Sequence, residues 1–73
     1  MISYKPLKIT LAEQDLDRTD LYTRAGISRS TVQAMLTEGR HVTTETLDKL
    51  CQFLDVPISK IIEYIKDDAE TDL

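Results

Sequence analysis

From Leu16 to Leu36 the apolar positions run at helical spacing, pause for three residues and resume. Leu21 and Ala25 stand four apart and make one face of a short helix. Val32, Met35 and Leu36 make the same kind of face, at i, i+3 and i+4, on a second helix. Between the two lie Gly26, Ile27 and Ser28. Gly26 can take the positive φ that closes a helix and turns the chain sharply. Ile27 can pack into the angle between the helices. Ser28 is a favoured N-cap for the second helix. So short a turn forces a steep crossing, which is helix-turn-helix geometry.

The same period extends in both directions. Pro6 suits the first turn of a helix, Leu7 and Leu11 give it a face, and it should end near Gln14. Asp17 caps the next helix, with Asp20 three residues on in a capping-box position. The third runs from Ser28 to about Thr37, and Gly39 ends it. Arg40 to Val42 reads as a loop. Thr43 caps a fourth helix with an apolar face of Leu47, Leu50, Cys51 and Leu54. Pro57 breaks the chain, and Ile58, Ile61, Ile62 and Ile65 predict a fifth helix. The expected architecture is all-α, five short helices around one core. Residues 1–66 would form that domain, and 67–73, acidic and without periodicity, a disordered tail.

Two stretches carry a resemblance. One is the frame L-x-x-x-x-L-x-x-x-x-G-I-S-x-S-T-V that starts at Leu16; the other is E-T-L-D-K-L-C-Q-F-L-D-V, Glu45 to Val56. Together they resemble a Cro/cI-type (XRE-family) helix-turn-helix repressor domain, in particular its small stand-alone members. The likeness runs without gaps from Leu16 to Ile62 and more loosely back to Tyr4. It implies a five-helix, lambda-repressor-like DNA-binding fold. Two positions depart from the family's habit. Arg18 stands where the family usually has Gln, and Tyr22 where it usually has a small residue, often Ala. Arg18 still suits a phosphate. Tyr22 reads as packing against the motif and not as a stacking platform.

Size and charge narrow the picture. Seventy-three residues make one domain. A single Cys cannot form an intramolecular disulfide, and no signal peptide or long apolar run is evident, so a reducing cytoplasm is the expected location. Net charge is −4, which taken alone argues against a polyanionic partner. Its distribution changes that reading. Residues 1–42 hold six Lys/Arg (Lys5, Lys8, Arg18, Arg24, Arg29, Arg40) against five Asp/Glu, a balance of +1. Residues 43–73 hold three Lys against eight Asp/Glu, a balance of −5. The repelling charge therefore sits behind the motif and in the tail.

Candidate chemistry gathers on the third helix. Opposite its apolar stripe lie Arg29, Ser30, Gln33, Ala34 and Thr37, with no acid from Ser28 to Thr37. Exposed helices usually carry Glu and Lys. A helix that enters a major groove needs instead short side chains for close approach and a few longer ones to reach base edges. Arg29 follows the N-cap, at the positive end of the helix dipole, with no acid in the first turn to offset it. Arg can read guanine O6 and N7 or hold a phosphate, and Gln33 can pair with adenine. Ser30 and Thr31 can reach phosphates or bases and are equally ordinary first-turn residues. Arg18 opens the helix that crosses the DNA backbone in this geometry, and Thr37, Arg40 and His41 could hold the backbone at the other end of the third helix.

Other chemistry finds no support. Cys51 lies on an apolar helix face and reads as a small buried hydrophobe. One His and one distant Cys do not make a zinc site, and there is neither a glycine-rich phosphate loop nor a paired-carboxylate frame. No enzyme activity, cofactor, metal or small-molecule ligand is expected. Ile58, Ile61, Ile62, Tyr64 and Ile65 exceed one narrow stripe, so the excess would pair with a second copy unless the monomer absorbs it. The expected partner is double-stranded DNA, a pseudo-palindromic operator bound by a homodimer, with Ser28 among the contacts at the head of the reading helix. The alternative is a protein-interaction module, antitoxin-like or adaptor, on the same fold. The acidic second half favours that alternative, and the acid-free face favours DNA.

Overall fold

A computed structural model describes residues 1–66. The elements, in order, are β1 (Ile2–Ser3), α1 (Lys5–Glu13), α2 (Arg18–Thr23), α3 (Arg29–Leu36), α4 (Thr44–Leu54), a single 3₁₀ turn (Ile58–Lys60) and β2 (Glu63–Tyr64). The tail expected at 67–73 lies outside the described residues.

The helix starts follow the capping chemistry. Asp17 accepts from the N–H groups of Thr19 and Asp20, while the Asp20 carboxylate accepts from the N–H of Asp17, so the capping box is complete. Ser28 caps α3 by accepting from the N–H of Thr31 at 3.2 Å, and Thr43 caps α4 by accepting from the N–H of Thr46 at 3.3 Å. The helix ends share one device, a residue at positive φ: Asp15 at 57°, Gly26 at 77°, Gly39 at 66° and Asp55 at 56°.

Two elements differ from the sequence reading. α2 ends at Thr23, so the link to α3 is longer than three residues. The Asp20 carbonyl accepts from both Arg24 and Ala25, and the Leu21 carbonyl from Ile27; these bonds draw the chain out of the helix before Gly26. The second difference is larger. The fifth helix is a single 3₁₀ turn followed by a strand, so the described residues hold four α-helices. Ile61 donates to the Ile58 carbonyl, the turn ends, and the chain extends to pair antiparallel with the N-terminus, Ile2 opposite Tyr64 and Ser3 opposite Glu63. The Met1 and Ile65 backbones exchange further bonds at 2.7 and 2.8 Å. β-Branched isoleucines are at ease in extended chain, and the pairing satisfies backbone groups of residues 1–3 and 63–65.

One core joins the pieces. Leu7, Leu21, Val32, Met35, Leu50 and Ile61 are fully buried, and Tyr4, Leu11, Ile27, Leu36 and Leu54 nearly so. Cys51, expected buried, is half-buried against this cluster. Of the five C-terminal apolar side chains, Ile61 completes the core and Ile62 is partly covered, while Ile58, Tyr64 and Ile65 stay exposed. Two long-range hydrogen bonds seat the C-terminal segment: Thr10 Oγ1 donates to the Lys60 carbonyl at 2.8 Å, and the Leu7 N–H to the Ile61 carbonyl at 3.2 Å. Tyr4 buries its ring and donates its hydroxyl to the Arg40 carbonyl at 2.6 Å, tying the loop after α3 to the start of α1. Burial pushes the Tyr4 hydroxyl above the ordinary tyrosine range, with a hydrogen bond to the Val42 backbone acting the other way. Every buried side-chain nitrogen and oxygen among the described residues has a partner.

Candidate nucleic-acid interface

Val32, Met35 and Leu36 anchor α3 in the core, and this burial decides what faces out. Ser30, Gln33 and Thr37 are exposed and Ala34 half-exposed. At 100° per residue these four share the face opposite the buried stripe, and Arg29 and Thr31 lie on its two flanks. The face carries no carboxylate.

Each flank meets a different helix. On one side the Arg29 guanidinium lies over the Tyr22 ring of α2, 5.0 Å from its centroid. The first-turn cation that the sequence leaves without compensation therefore has a partner, and Tyr22, expected only to pack, also carries the guanidinium. Tyr22 does pack, half-buried against the core. On the other side Thr31 turns toward α4. Ser30, Thr31 and Ala34 there line an open groove of about 450 Å³ with His41, Val42, Thr43 and Thr46.

At the far end of α3, Arg18 Nη1 donates to Thr37 Oγ1 at 3.0 Å. This bond joins the first residue of α2 to the C-cap of α3, and both side chains are exposed. The two residues read separately as backbone contacts are thus neighbours. Arg40 is exposed too, but its Nε pairs with Glu38 at 3.0 Å, so a phosphate there must displace a carboxylate. Arg24 pairs with Asp20 at 3.7 Å and lies 5.6 Å from the Phe53 ring centroid. Arg18 and Arg29 have no carboxylate within ion-pair distance among the described residues.

Ser28 is largely consumed by its cap. Its Oγ accepts from the Thr31 N–H, donates to Thr31 Oγ1 at 2.7 Å and lies 3.3 Å from Ser30 Oγ. It holds the head of α3 in place more than it reaches outward. The structure adds three groove residues that sequence reasoning missed as site candidates, Val42, Thr43 and Thr46. Thr43 was visible only as a helix cap, and nothing in its spacing marks it as facing α3. Among the described residues no cluster of three His, Cys, Asp or Glu could hold a metal ion.

A hydroxyl-lined, acid-free helix face, with Arg29 on one flank and Arg18 at its far end and neither within ion-pair distance of a carboxylate among the described residues, fits a polyanion's edge. A family model for Cro/C1-type HTH DNA-binding domains matches residues 6–67. The chain belongs to this family. Among solved structures, the Cro/C1-type domain is similar to the transcriptional regulator VanUg, at a TM-score of 0.81 and 29% identity, over 90% of this chain and 87% of that one. A comparison with curated proteins gives no match. Within the Cro/C1-type frame α2 and α3 are the two motif helices. No helix among the described residues is long and apolar enough to cross a membrane.

Proposed function

We propose that the domain is a sequence-specific, repressor-type regulator of transcription that seats α3 in the major groove of double-stranded DNA. The observation that carries this reading is the outer face of α3, free of carboxylate, with Arg29 on one flank and Arg18 at its far end. Ser30, Thr31, Gln33 and Ala34 approach base edges, with Arg29 at guanine. Arg18, Thr37, Arg40 and His41 hold phosphates. Ser28 keeps the head of α3 presented. Two copies sit on a pseudo-palindromic operator, and the exposed Ile58, Tyr64 and Ile65 support self-association. The fold shared with a protein described as a transcriptional regulator supports the regulatory role.

Selection from randomised duplexes, followed by binding measured across salt concentration, tests the proposal. Enrichment should yield two half-sites about 34 Å apart. Affinity for the enriched duplex should fall with salt, each neutralised phosphate adding about −0.9 to the log–log slope. No enrichment, or salt-independent binding, overturns it. The acidic balance of residues 43–73 favours the second reading, a protein-binding module, and that reading predicts a selection that enriches nothing.

A further inference from the structure

Tyr22 is the aromatic residue in the motif, and its position places it beside the first residue of the proposed reading helix. We propose that Tyr22 is a positioning residue, whose ring aims the Arg29 guanidinium for base recognition; this rests on the DNA reading above.

Three observations converge. Arg29 projects from the flank of α3 and has no carboxylate within ion-pair distance among the described residues. An arginine of that kind would sample many rotamers in solvent and lose them on docking. The Tyr22 ring removes part of that freedom beforehand, because a planar guanidinium stacks on an aromatic face. The ring is itself fixed. Its body is half-buried against the core, and its hydroxyl lies 3.3 Å from Thr19 Oγ1. Thr19 in turn gives its N–H to the Asp17 cap at 2.9 Å. The start of α2, where the phosphate contact is placed, is thus linked through Thr19 and Tyr22 to the head of α3. A small residue at this position would leave Arg29 free. The ring therefore acts on which base pair is preferred, through Arg29, and does not itself touch the bases.

The experiment compares Tyr22→Leu, Tyr22→Phe and Arg29→Ala, using the duplex that the wild-type chain enriches from a randomised pool and single-base variants of it. Tyr22→Leu should weaken binding to the enriched duplex about two- to fivefold, the range of an exposed cation–π contact. It should also reduce discrimination at the base pair whose preference Arg29→Ala abolishes, and leave binding to random duplex unchanged. Tyr22→Phe keeps the ring and its packing and gives up only the contact with Thr19, so it should retain most of the affinity and the discrimination. Adding Tyr22→Leu to Arg29→Ala should have no further effect on discrimination. If Tyr22→Leu does not fold, Tyr22→Met takes its place, since a flexible thioether fills the same space.

The stack has a readout that needs no DNA. Ring current should shift the Arg29 Cδ protons upfield in the wild type and in Tyr22→Phe, and the shift should vanish in Tyr22→Leu. An unshifted wild type overturns the stack whatever the chain binds. A folded Tyr22→Leu with intact discrimination overturns the positioning role, as does a Tyr22→Phe that loses as much as Tyr22→Leu. A pool that enriches nothing defeats the DNA reading and the role together, and the ring-current shift then reports separately on the contact.

Discussion

Gly26 has a φ of 77° and open space where a Cβ would stand, with nothing within 4 Å. Any penalty for a side chain there comes from the backbone conformation and not from a clash. Gly26→Val should lower stability by more than about 1 kcal/mol, because a β-branched residue is poorly tolerated at positive φ. Gly26→Asn should lose less than about 1 kcal/mol, because Asn visits the left-handed region readily. Thermal unfolding of both separates the two; equal losses would point to a packing role for Gly26 instead. Tyr4 makes a second residue-level prediction. The folded state holds its hydroxyl proton above the usual tyrosine value, so its contribution is fully present below pH ~10 and is lost as pH rises past that. Tyr4→Phe should be less stable near neutrality by about 1 kcal/mol, from the missing bond to the Arg40 carbonyl. That deficit should narrow on the alkaline side. Denaturant titrations at neutral and alkaline pH give the comparison.

At the scale of elements, the four helices start on capping side chains or a proline and stop on a positive φ. Two of those stops are aspartates, Asp15 and Asp55. Asp55 closes α4, and the following residue, Val56, donates to the Cys51 carbonyl at 3.2 Å. An L-residue is held there against its own preference, so Asp55→Gly should stabilise the domain by about 0.5–1 kcal/mol. In a domain of this size that raises the midpoint by several degrees, since about 1 kcal/mol corresponds to roughly 4–8 °C. An unchanged or lower midpoint would mean that the Asp55 side chain contributes more than its strain removes. The glycine stops could be read from the sequence, whereas the aspartate stops could not. Asp is common in many settings, and only the backbone reveals the left-handed turn.

For the whole molecule, the proposed docking assigns the two arginines different work. Arg29→Ala should cost roughly 1–3 kcal/mol on the preferred duplex and relax preference at one or two positions. Arg18→Ala should weaken binding about equally on all sequences and reduce the salt slope by about one. The bond from Arg18 to Thr37 is exposed, so its loss should change unfolding by no more than about 0.5 kcal/mol. Matched and mismatched duplexes measured with both variants decide the docking geometry. Lost discrimination in Arg18→Ala together with intact discrimination in Arg29→Ala would reverse the two roles. The acidic balance of residues 43–73 should keep non-specific affinity low in the proposed complex, so the two profiles are expected to be well separated.

By itself the sequence determined whatever depends on neighbours a few residues apart. The caps at Asp17, Ser28 and Thr43, the turns at Gly26 and Gly39, and the buried stripe of α3 were all legible. Such features follow from a hydrogen bond or a helical period within one or two turns, and the residue types announce them. The tertiary structure alone decided the rest. The spacing of Ile58, Ile61, Ile62 and Ile65 fits a helix, yet the segment extends because its backbone finds Met1 to Ser3, with Met1 and Ile65 bonded across 64 positions. Tyr22 and Arg29, Arg18 and Thr37, and Thr31 with Thr43 and Thr46 meet only once the helices have crossed. No local pattern encodes those meetings, because a side chain's partner on another helix is set by how the shared core orients both.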